Sequence, residues 1–228
     1  MCIRDSFKIA SFEIVDVMLI RRAAETGRPL IISTGMALMG EIEDALRAAA
    51  QGGATEVGLM QCTSAYPAPP ERANLRAMAT MRAAFGIPVG LSDHTLGVAV
   101  PIAAAALGPA FIEKHFTLDR TMTGPDHPFA LEPSELRAMV QGIREAEAAL
   151  GDGRKDGPSP EESVEMYRLA RRSLVATRDL QAGTVLQADM ITVKRPGVGI
   201  APKHLELVLG RALTQDVEAD DILLWEMV

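Results

Sequence analysis

The stretch Val89-Gly90-Leu91-Ser92-Asp93-His94 is a short apolar run that ends in polar residues and a histidine. A second stretch of the same design, Phe111-Ile112-Glu113-Lys114-His115, follows it along the chain. Residues 98–107, between the two, have a helical pattern, so the two runs are predicted to be neighbouring parallel strands. Because the carboxyl ends of parallel strands meet at one edge of a sheet, we expect both imidazoles at that edge.

The same alternation of strand and helix runs through the first two thirds of the chain. Five apolar runs are predicted strands: residues 7–11, 30–34, 57–63, 89–94 and 111–115. Helices are predicted at residues 14–26, 39–51, 70–85, 98–107 and 133–150. Such units form a parallel sheet, either an open doubly wound sheet or part of a (β/α)8 barrel, which needs eight units in about 250 residues. Polar residues after every strand favour a partial TIM barrel.

Composition divides the chain further. Residues 7–150 form the predicted partial barrel, residues 151–168 a linker rich in Gly, Pro, Asp and Ser, and residues 169–228 a small, mostly β domain. Strand candidates in the last segment are residues 173–177, 185–186, 191–194 and 222–225. Residues 1–6 lack the pattern of a signal or transit peptide, and we interpret them as foreign to a chain that starts in mid-fold.

Length, composition and net charge limit the classes of function that this chain can have. With 228 residues, 48% of them hydrophobic, the chain can bury a sizeable core. A net charge of -7 argues against nucleic-acid or anionic-membrane partners. There are two cysteines, and every apolar stretch is broken before the roughly 20 residues of a membrane span. We therefore expect a reduced, cytoplasmic setting.

Side chains capable of chemistry follow each predicted strand. They include hydroxyls, carboxylates and imidazoles: Ser11, Glu13, Ser33, Thr34, Cys62, Thr63, Ser64, Tyr66, Ser92, Asp93, His94, Glu113 and His115. Together with Lys8 they would make a pocket for an anionic substrate and a metal. Two neutral histidines that leave coordination positions open suit a catalytic Mn²⁺, Zn²⁺ or Fe²⁺ acting as a Lewis acid.

Each of these residues also has a plainer structural interpretation. His94 and His115 can be hydrogen-bonded strand-end residues without a metal. Asp93 can cap the next helix, and the strand-end hydroxyls can cap helices instead of binding phosphate. Lys114 is expected to point away from its two neighbours, towards solvent or helix packing. Cys62 is expected to be a buried small hydrophobe.

Seven short motifs in order resemble the sialic acid synthase family, enzymes that condense phosphoenolpyruvate with an N-acetylated amino sugar. They are FKIASFE at 7–13, ISTGM at 32–36, QCTSAYP at 61–67, GLSDHT at 90–95, IEKHF at 112–116, GPD at 124–126 and VKRPG at 193–197. The resemblance implies a (β/α)8 barrel followed by an antifreeze-like SAF domain, with the five strands here as the last five of eight. It also implies a domain-swapped homodimer when full length, and an inactive fragment here.

The resemblance assigns roles to individual residues. His94 and His115 would hold a divalent metal, Mn²⁺ or Mg²⁺, and Glu113 would support the metal or its waters. The phosphoenolpyruvate site would be lined by Lys8, Ser11, Ser33, Ser64 and Ser92. Glu13 would handle protons or activate water.

The amino sugar would meet a second group of residues. Tyr66 and Asp126 would face the sugar, and Arg195 would contact its N-acyl group from the partner subunit. Residues 118–120, 124–127 and 192–197 look like N-acetylneuraminate or legionaminate synthases, whereas residues 8–16 and 62–67 look like pseudaminic acid synthases. We favour the N-acetylneuraminate type, with N-acetylmannosamine as the kind of sugar, over a pseudaminic acid synthase.

Two readings from other classes stay open. Residues 169–228 can be a carbohydrate-binding or assembly module beside an inert barrel remnant. Alternatively, the protein can be a metal-assisted aldolase that uses pyruvate, which would not need the phosphate of phosphoenolpyruvate.

Overall fold

The computed structural model describes residues 5–228 and separates them into two compact units, one ending at Gly153 and one spanning Arg154–Val228. The interpretation of residues 1–6 as foreign stays a prediction, and residues 1–4 of that segment lie outside the described part. Within residues 5–228, no helix combines the length and apolar character needed to cross a membrane.

The first unit is a half-barrel of five parallel strands. They are β1 (Phe7–Ile9), β2 (Leu30–Ser33), β3 (Val57–Cys62), β4 (Val89–Asp93) and β5 (Ile112–Lys114). They lie side by side in chain order, as right-handed strand-helix-strand units require. All five coincide with the predicted apolar runs, and the predicted partial barrel is confirmed.

Five helices connect and follow these strands. They are α1 (Val17–Ala24), α2 (Met39–Gln51), α3 (Ala77–Phe85), α4 (Ala99–Ala105) and α5 (Pro133–Leu150). The bounds of α2 and α5 are those the sequence predicts, and α4 is shorter by one residue at its start and two at its end. In α5 the charged residues Glu132 and Glu135 form a capping box at the first turn, where the helix also starts with a proline.

Two predicted helices were too long. Residues 14–16 precede α1, because the Asp16 carboxylate accepts a hydrogen bond from the Leu19 amide at 3.0 Å and begins the helix there. Residues 70–76 are not part of α3: a 3-10 turn spans Pro70–Arg72, and Asn74 has a φ of 45°. A residue in the left-handed region interrupts a right-handed helix, so α3 starts only at Ala77.

Glycines on two strands make room for an aromatic ring at the amino ends of the strands. A Cβ atom at Gly58 would lie 2.6 Å from the Phe111 ring, and one at Gly90 would lie 2.3 Å from both that ring and the Phe111 carbonyl oxygen. No Cβ fits at such distances, so β3 and β4 need glycine where Phe111 packs.

The second unit has its own apolar core. It contains α6 (Val164–Ala170), the antiparallel strands β6 (Ser173–Ala176) and β7 (Ile191–Lys194), and α7 (Leu205–Val208). Leu174, Leu186 and Leu223 are fully buried in its core. The predicted strands at 185–186 and 222–225 are wrong, since Val185 and Ile222 form single bridges and Trp225–Met227 is a 3-10 turn. The last five residues of the predicted linker are helical in α6.

Candidate active site

A polar cavity of about 310 Å³ opens at the carboxyl ends of the half-barrel strands. Eight of the residues predicted for the site line it: Lys8, Ser11, Ser33, Tyr66, Ser92, His94, Glu113 and His115. They come from every strand of the sheet or from the residues that follow it. Since parallel strands all end at the same edge, residues far apart in sequence meet there.

His94 and His115 form a close pair in this cavity. β4 and β5 are in register with Asp93 opposite Lys114, so each histidine is the first residue beyond its strand at the same level. Their ring centroids lie 5.2 Å apart and their planes make an angle of 62°. The two rings therefore lie on one side of the sheet edge, close enough to serve one ligand.

Hydrogen bonding orients the His94 ring. Its Nδ1 lies 2.8 Å from the Thr63 carbonyl oxygen and 3.7 Å from Cys62 Sγ. A carbonyl oxygen only accepts hydrogen bonds, so Nδ1 carries a proton and Nε2 of the neutral ring keeps its lone pair. Burial by itself lowers the pKa of His94, but the contacts with Cys62 and Thr63 outweigh burial and raise that pKa above its ordinary value.

His115 has a different environment. Its Nδ1 lies 3.6 Å from an Asp126 carboxylate oxygen, and its ring packs edge-on against Phe129 with 5.0 Å between centroids. Burial and the nearby His94 lower the pKa of His115, which favours the neutral ring that a metal needs. A carboxylate beside the outer nitrogen of a histidine is a common arrangement behind metal-binding imidazoles.

A charged network joins three strands beside the histidines. The Lys8 ammonium donates to Glu113 Oε1 at 2.7 Å, and the Ser92 hydroxyl donates to the same oxygen at 2.8 Å. Burial alone raises the pKa of Glu113, but the Lys8 ion pair and the Ser92 hydrogen bond overcome burial and lower it. Glu113 is therefore a carboxylate with fixed orientation on the cavity wall.

Hydroxyl groups gather around Gly35 at the start of the β2–α2 connection. The Ser11 hydroxyl accepts a hydrogen bond from the Gly35 amide at 3.0 Å. A Cβ at Gly35 would lie 2.3 Å from Ser64 Oγ and 2.7 Å from Ser11 Oγ.

Ser64 Oγ is buried and has no hydrogen-bond partner among residues 5–228. The buried Ser33 hydroxyl makes a long contact with the Met60 sulfur, at 3.9 Å. Such underused donors suit an anionic ligand.

Four predicted site residues are not part of the cavity lining: Ser64, Glu13, Asp126 and Arg195. Glu13 is exposed, and its carboxylate accepts a hydrogen bond from the Ala10 amide at 3.0 Å. Asp126 reaches the site only through His115, and its side chain is 62% exposed. Arg195 belongs to the second unit, where its Nε donates to the Ala170 carbonyl at 3.0 Å.

The structure corrects one interpretation of neighbouring residues and narrows another. Lys114 is not in solvent: its Nζ lies 2.5 Å from Asp93 Oδ2, and the two side chains are 3% and 1% exposed. Asp93 does not cap α4, which begins at Ala99 after Val98 without a side-chain cap. Strand pairing brings the two charges together, and a buried carboxylate needs such a partner.

The donor set fits a catalytic divalent metal better than a structural one. Among residues 5–228 no cluster of three or more His, Cys, Asp or Glu side chains is arranged to hold a metal. If a metal bound between His94 and His115, these two imidazoles would be its protein ligands, and the remaining positions would be open to water or substrate, as catalytic metals require.

Sequence reasoning missed two contacts of this site. Cys62 is buried as expected, but its thiol borders His94; burial raises the pKa of Cys62, whereas hydrogen bonds from His94 and two serines lower it below its ordinary value. Phe129 stacks against both His115 and Tyr66. The pairing of Cys62 with Ser92 in the sheet register is the signal that places Cys62 near His94.

Fold and site define a partial TIM barrel with a cavity at the carboxyl ends of its strands, followed along the chain by a small unit with an antiparallel sheet. Residues 3–155 match the NeuB family and residues 171–228 match the SAF domain. The chain belongs to the NeuB family.

Two relatives are named as synthases of nonulosonic acids. N,N'-diacetyllegionaminic acid synthase from Campylobacter jejuni is 41% identical over 95% of this chain and 65% of that protein. Pseudaminic acid synthase from Helicobacter pylori is 37% identical over 94% of this chain and 62% of that protein. The chain thus spans about two thirds of the length of these relatives.

A crystal structure of N-acetylneuraminic acid synthetase from Leptospira borgpetersenii, in complex with citrate, has the same fold. It matches with a TM-score of 0.64 and 36% identity, over 71% of this chain and 56% of that chain. These relatives are synthases of sialic, legionaminic and pseudaminic acids.

Proposed function

We propose that a protein containing this chain is a nonulosonic acid synthase. It condenses phosphoenolpyruvate with an N-acetylated amino sugar and releases phosphate. The observation that carries this proposal is the His94–His115 pair, with ring centroids 5.2 Å apart, in one cavity with a lysine and buried serine hydroxyls. Relatives that make three different nonulosonic acids support the reaction class.

The histidine pair is proposed to hold a divalent cation, Mn²⁺ or Mg²⁺. His94 Nε2 is available because the Thr63 carbonyl accepts from Nδ1, and burial lowers the pKa of His115, which favours its neutral ring. When bound, the cation would polarise the aldehyde oxygen of the open-chain sugar. Asp126 would hold the His115 ring in place from its outer nitrogen.

The phosphoenolpyruvate site is proposed to use Lys8 and the hydroxyls of Ser11, Ser33, Ser64 and Ser92. Lys8 supplies positive charge, and Glu113 holds its ammonium group at the cavity wall. The buried Ser64 hydroxyl has no partner in the chain as described, and a phosphate or carboxylate oxygen would give it one. Fixed donors of this kind lower the cost of binding because they are already oriented.

The bond-forming step joins C3 of phosphoenolpyruvate to the aldehyde carbon of the sugar. The aldehyde oxygen takes up a proton and becomes a hydroxyl, and water adds to the cationic C2 and gives up a proton. The C2–O bond to phosphate then breaks, and the new C2 hydroxyl loses its proton to the leaving phosphate and becomes the ketone. We propose that Glu13 accepts the proton of that water; one of its oxygens is bound to the Ala10 amide, which orients the carboxylate. Holding both substrates in one cavity supplies several kcal/mol of the acceleration.

Tyr66, Asp126 and Arg195 are proposed to select the sugar. Tyr66 lies beside the histidine pair, with its ring centroid 4.2 Å from that of His94 and 44% of the residue exposed. The planar guanidinium of Arg195 would hydrogen-bond the N-acyl group in a way that lysine cannot copy. We propose that it does so from the partner subunit of a domain-swapped homodimer, and that the preferred sugar is of the N-acetylmannosamine type.

The test is phosphate release by the longer protein that contains this chain, with Mn²⁺, phosphoenolpyruvate and a panel of N-acetylated amino sugars. We expect His94→Ala and His115→Ala each to abolish release, while His204→Ala, a matched change in the second unit, leaves it intact. Release at the normal rate from both variants would refute the metal role. Pyruvate carries no phosphate, so it cannot give phosphate release. Formation of a condensed sugar acid from pyruvate would therefore favour an aldolase.

A further inference from the structure

A buried ion pair lies directly behind the two histidines. Lys114 and Asp93 are the last residues of β5 and β4, and each immediately precedes a histidine. Their side chains are 3% and 1% exposed, and their charged atoms are 2.5 Å apart. Burying two charges is costly, and the pair is stable only if its remaining hydrogen-bonding groups are also satisfied.

Thr95, the residue after His94, satisfies remaining hydrogen-bonding groups of the ion pair. The Asp93 carboxylate accepts hydrogen bonds from the Thr95 amide at 3.0 Å and the Thr95 hydroxyl at 3.1 Å. The Lys114 ammonium also donates to the Thr95 carbonyl oxygen. One ammonium group therefore binds the residues before and after His94, and that group belongs to the neighbour of His115.

A second cross-strand bond lies on the cavity side. Ser92 donates to Glu113 at 2.8 Å, one residue earlier on both strands, and side chains alternate between the faces of a strand. The carbonyl groups of both histidines are fixed as well, by the Ala68 amide at 2.8 Å for His94 and the Leu131 amide at 2.9 Å for His115. The ends of β4 and β5 are thus tied together on both faces.

We infer that Lys114 is a positioning residue for the His94–His115 pair. Its ammonium group binds Asp93 and Thr95, and this bridge sets the height and separation of the two rings. This inference deepens the proposed function and rests on it for the identity of the ligand, a divalent cation. The geometric part concerns the chain alone.

The experiment compares Lys114→Met with the double variant Asp93→Asn/Lys114→Met, in the full protein. The single variant leaves a buried carboxylate without its cation and is expected to lose stability. The double variant removes both charges and regains stability, because methionine resembles lysine in length and asparagine can still accept from Thr95. We expect it nevertheless to bind Mn²⁺ ten- to a hundredfold more weakly, as measured by electron paramagnetic resonance.

Two further measurements separate positioning from simple stability. Met78→Ala removes a fully buried side chain of α3 away from the histidines, and it is expected to lower stability while leaving Mn²⁺ affinity unchanged. The second measurement uses ¹⁵N spectra of the imidazoles without metal. In the unaltered protein they should show the Nδ1–H tautomer of His94 and a cross-relaxation signal between the two rings; both should weaken in the double variant.

The outcomes distinguish this inference from the proposed function. If the unaltered protein binds no Mn²⁺, the metal proposal fails, and the imidazole spectra alone decide the role of Lys114. If the double variant keeps both the His94 tautomer and the signal between the rings, Lys114 is not a positioning residue. Wild-type Mn²⁺ affinity in the double variant would overturn the inference in the same way.

Discussion

Lys8 and Glu113 lie on β1 and β5, the two outermost strands of the five-stranded sheet, yet the Lys8 ammonium is 2.7 Å from Glu113 Oε1. In a flat sheet, four strand spacings of about 4.8 Å would hold these strands about 19 Å apart. The ion pair can form only because the sheet curls and its interior side chains point at one another. The same curvature encloses the cavity in which the histidines meet.

The ion pair predicts a pH-dependent contribution of Glu113 to stability. Because its pKa in the folded protein is below the ordinary value, the contribution is present above the ordinary pKa of about 4.3 and is lost as the pH falls through the folded pKa. Glu113→Gln should therefore be less stable than the unaltered protein at pH 7, by less than about 1 kcal/mol since both groups are about a third exposed. Urea unfolding in EDTA should show a smaller difference in stability between Glu113→Gln and the unaltered protein at pH 3 than at pH 7. An equal difference at both pH values would contradict this prediction.

Gly90 should tolerate no side chain. An alanine Cβ would lie 2.3 Å from the Phe111 carbonyl oxygen, a main-chain atom that accepts a hydrogen bond from the Leu91 amide and cannot move aside cheaply. We expect Gly90→Ala to cost about 3 kcal/mol or more in the free energy of unfolding. The control is Gly40→Ala in α2, where a Cβ meets no atom within 4 Å and should stabilise the helix by up to about 1 kcal/mol. If Gly90→Ala and Gly40→Ala had equal effects in thermal unfolding, the packing of Phe111 would not require glycine at position 90.

Ser64 and Ser11 should respond differently to loss of the hydroxyl. Ser64→Ala removes a buried oxygen without a partner among residues 5–228, so stability should change by less than about 0.5 kcal/mol. Ser11→Ala leaves the Gly35 amide unpaired and should cost about 1–3 kcal/mol.

If Ser64 binds phosphoenolpyruvate as proposed, Ser64→Ala should also weaken phosphoenolpyruvate binding in calorimetric titration. A large loss of stability in Ser64→Ala would mean that its hydroxyl has a structural partner instead.

Tyr66 should separate packing from sugar recognition. Its ring centroid lies 4.2 Å from that of His94 and 5.7 Å from that of Phe129, and aromatic pairs of this kind contribute about 0.5–1.5 kcal/mol. Tyr66→Ala should lose that stability, whereas Tyr66→Phe should keep it. In steady-state kinetics Tyr66→Phe should raise KM for the amino sugar but not for phosphoenolpyruvate; an unchanged sugar KM would remove the hydroxyl from the recognition site.

The starts of two helices in the first unit were predicted too early. The apolar spacing of residues 14–26 and 70–85 continues past the true ends of α1 and α3, because periodicity does not register a capping carboxylate or one left-handed residue. Asp16 and Asn74 decide those boundaries through local backbone geometry. In α5 the sequence itself marks both ends, with Pro133 in the first turn and Gly151 directly after Leu150, and the predicted bounds were right.

From the sequence alone, one learns that five strands lie parallel and that hydroxyls, carboxylates and two histidines follow them, because the length and spacing of apolar runs are local properties. Only the tertiary structure decides which of these groups touch: Lys114 with Asp93, Cys62 with His94, and Lys8 with Glu113. Those contacts depend on strand register and sheet curvature, which arise from packing between residues distant in the chain. Strand register and sheet curvature therefore cannot be predicted from residues that are adjacent in the sequence.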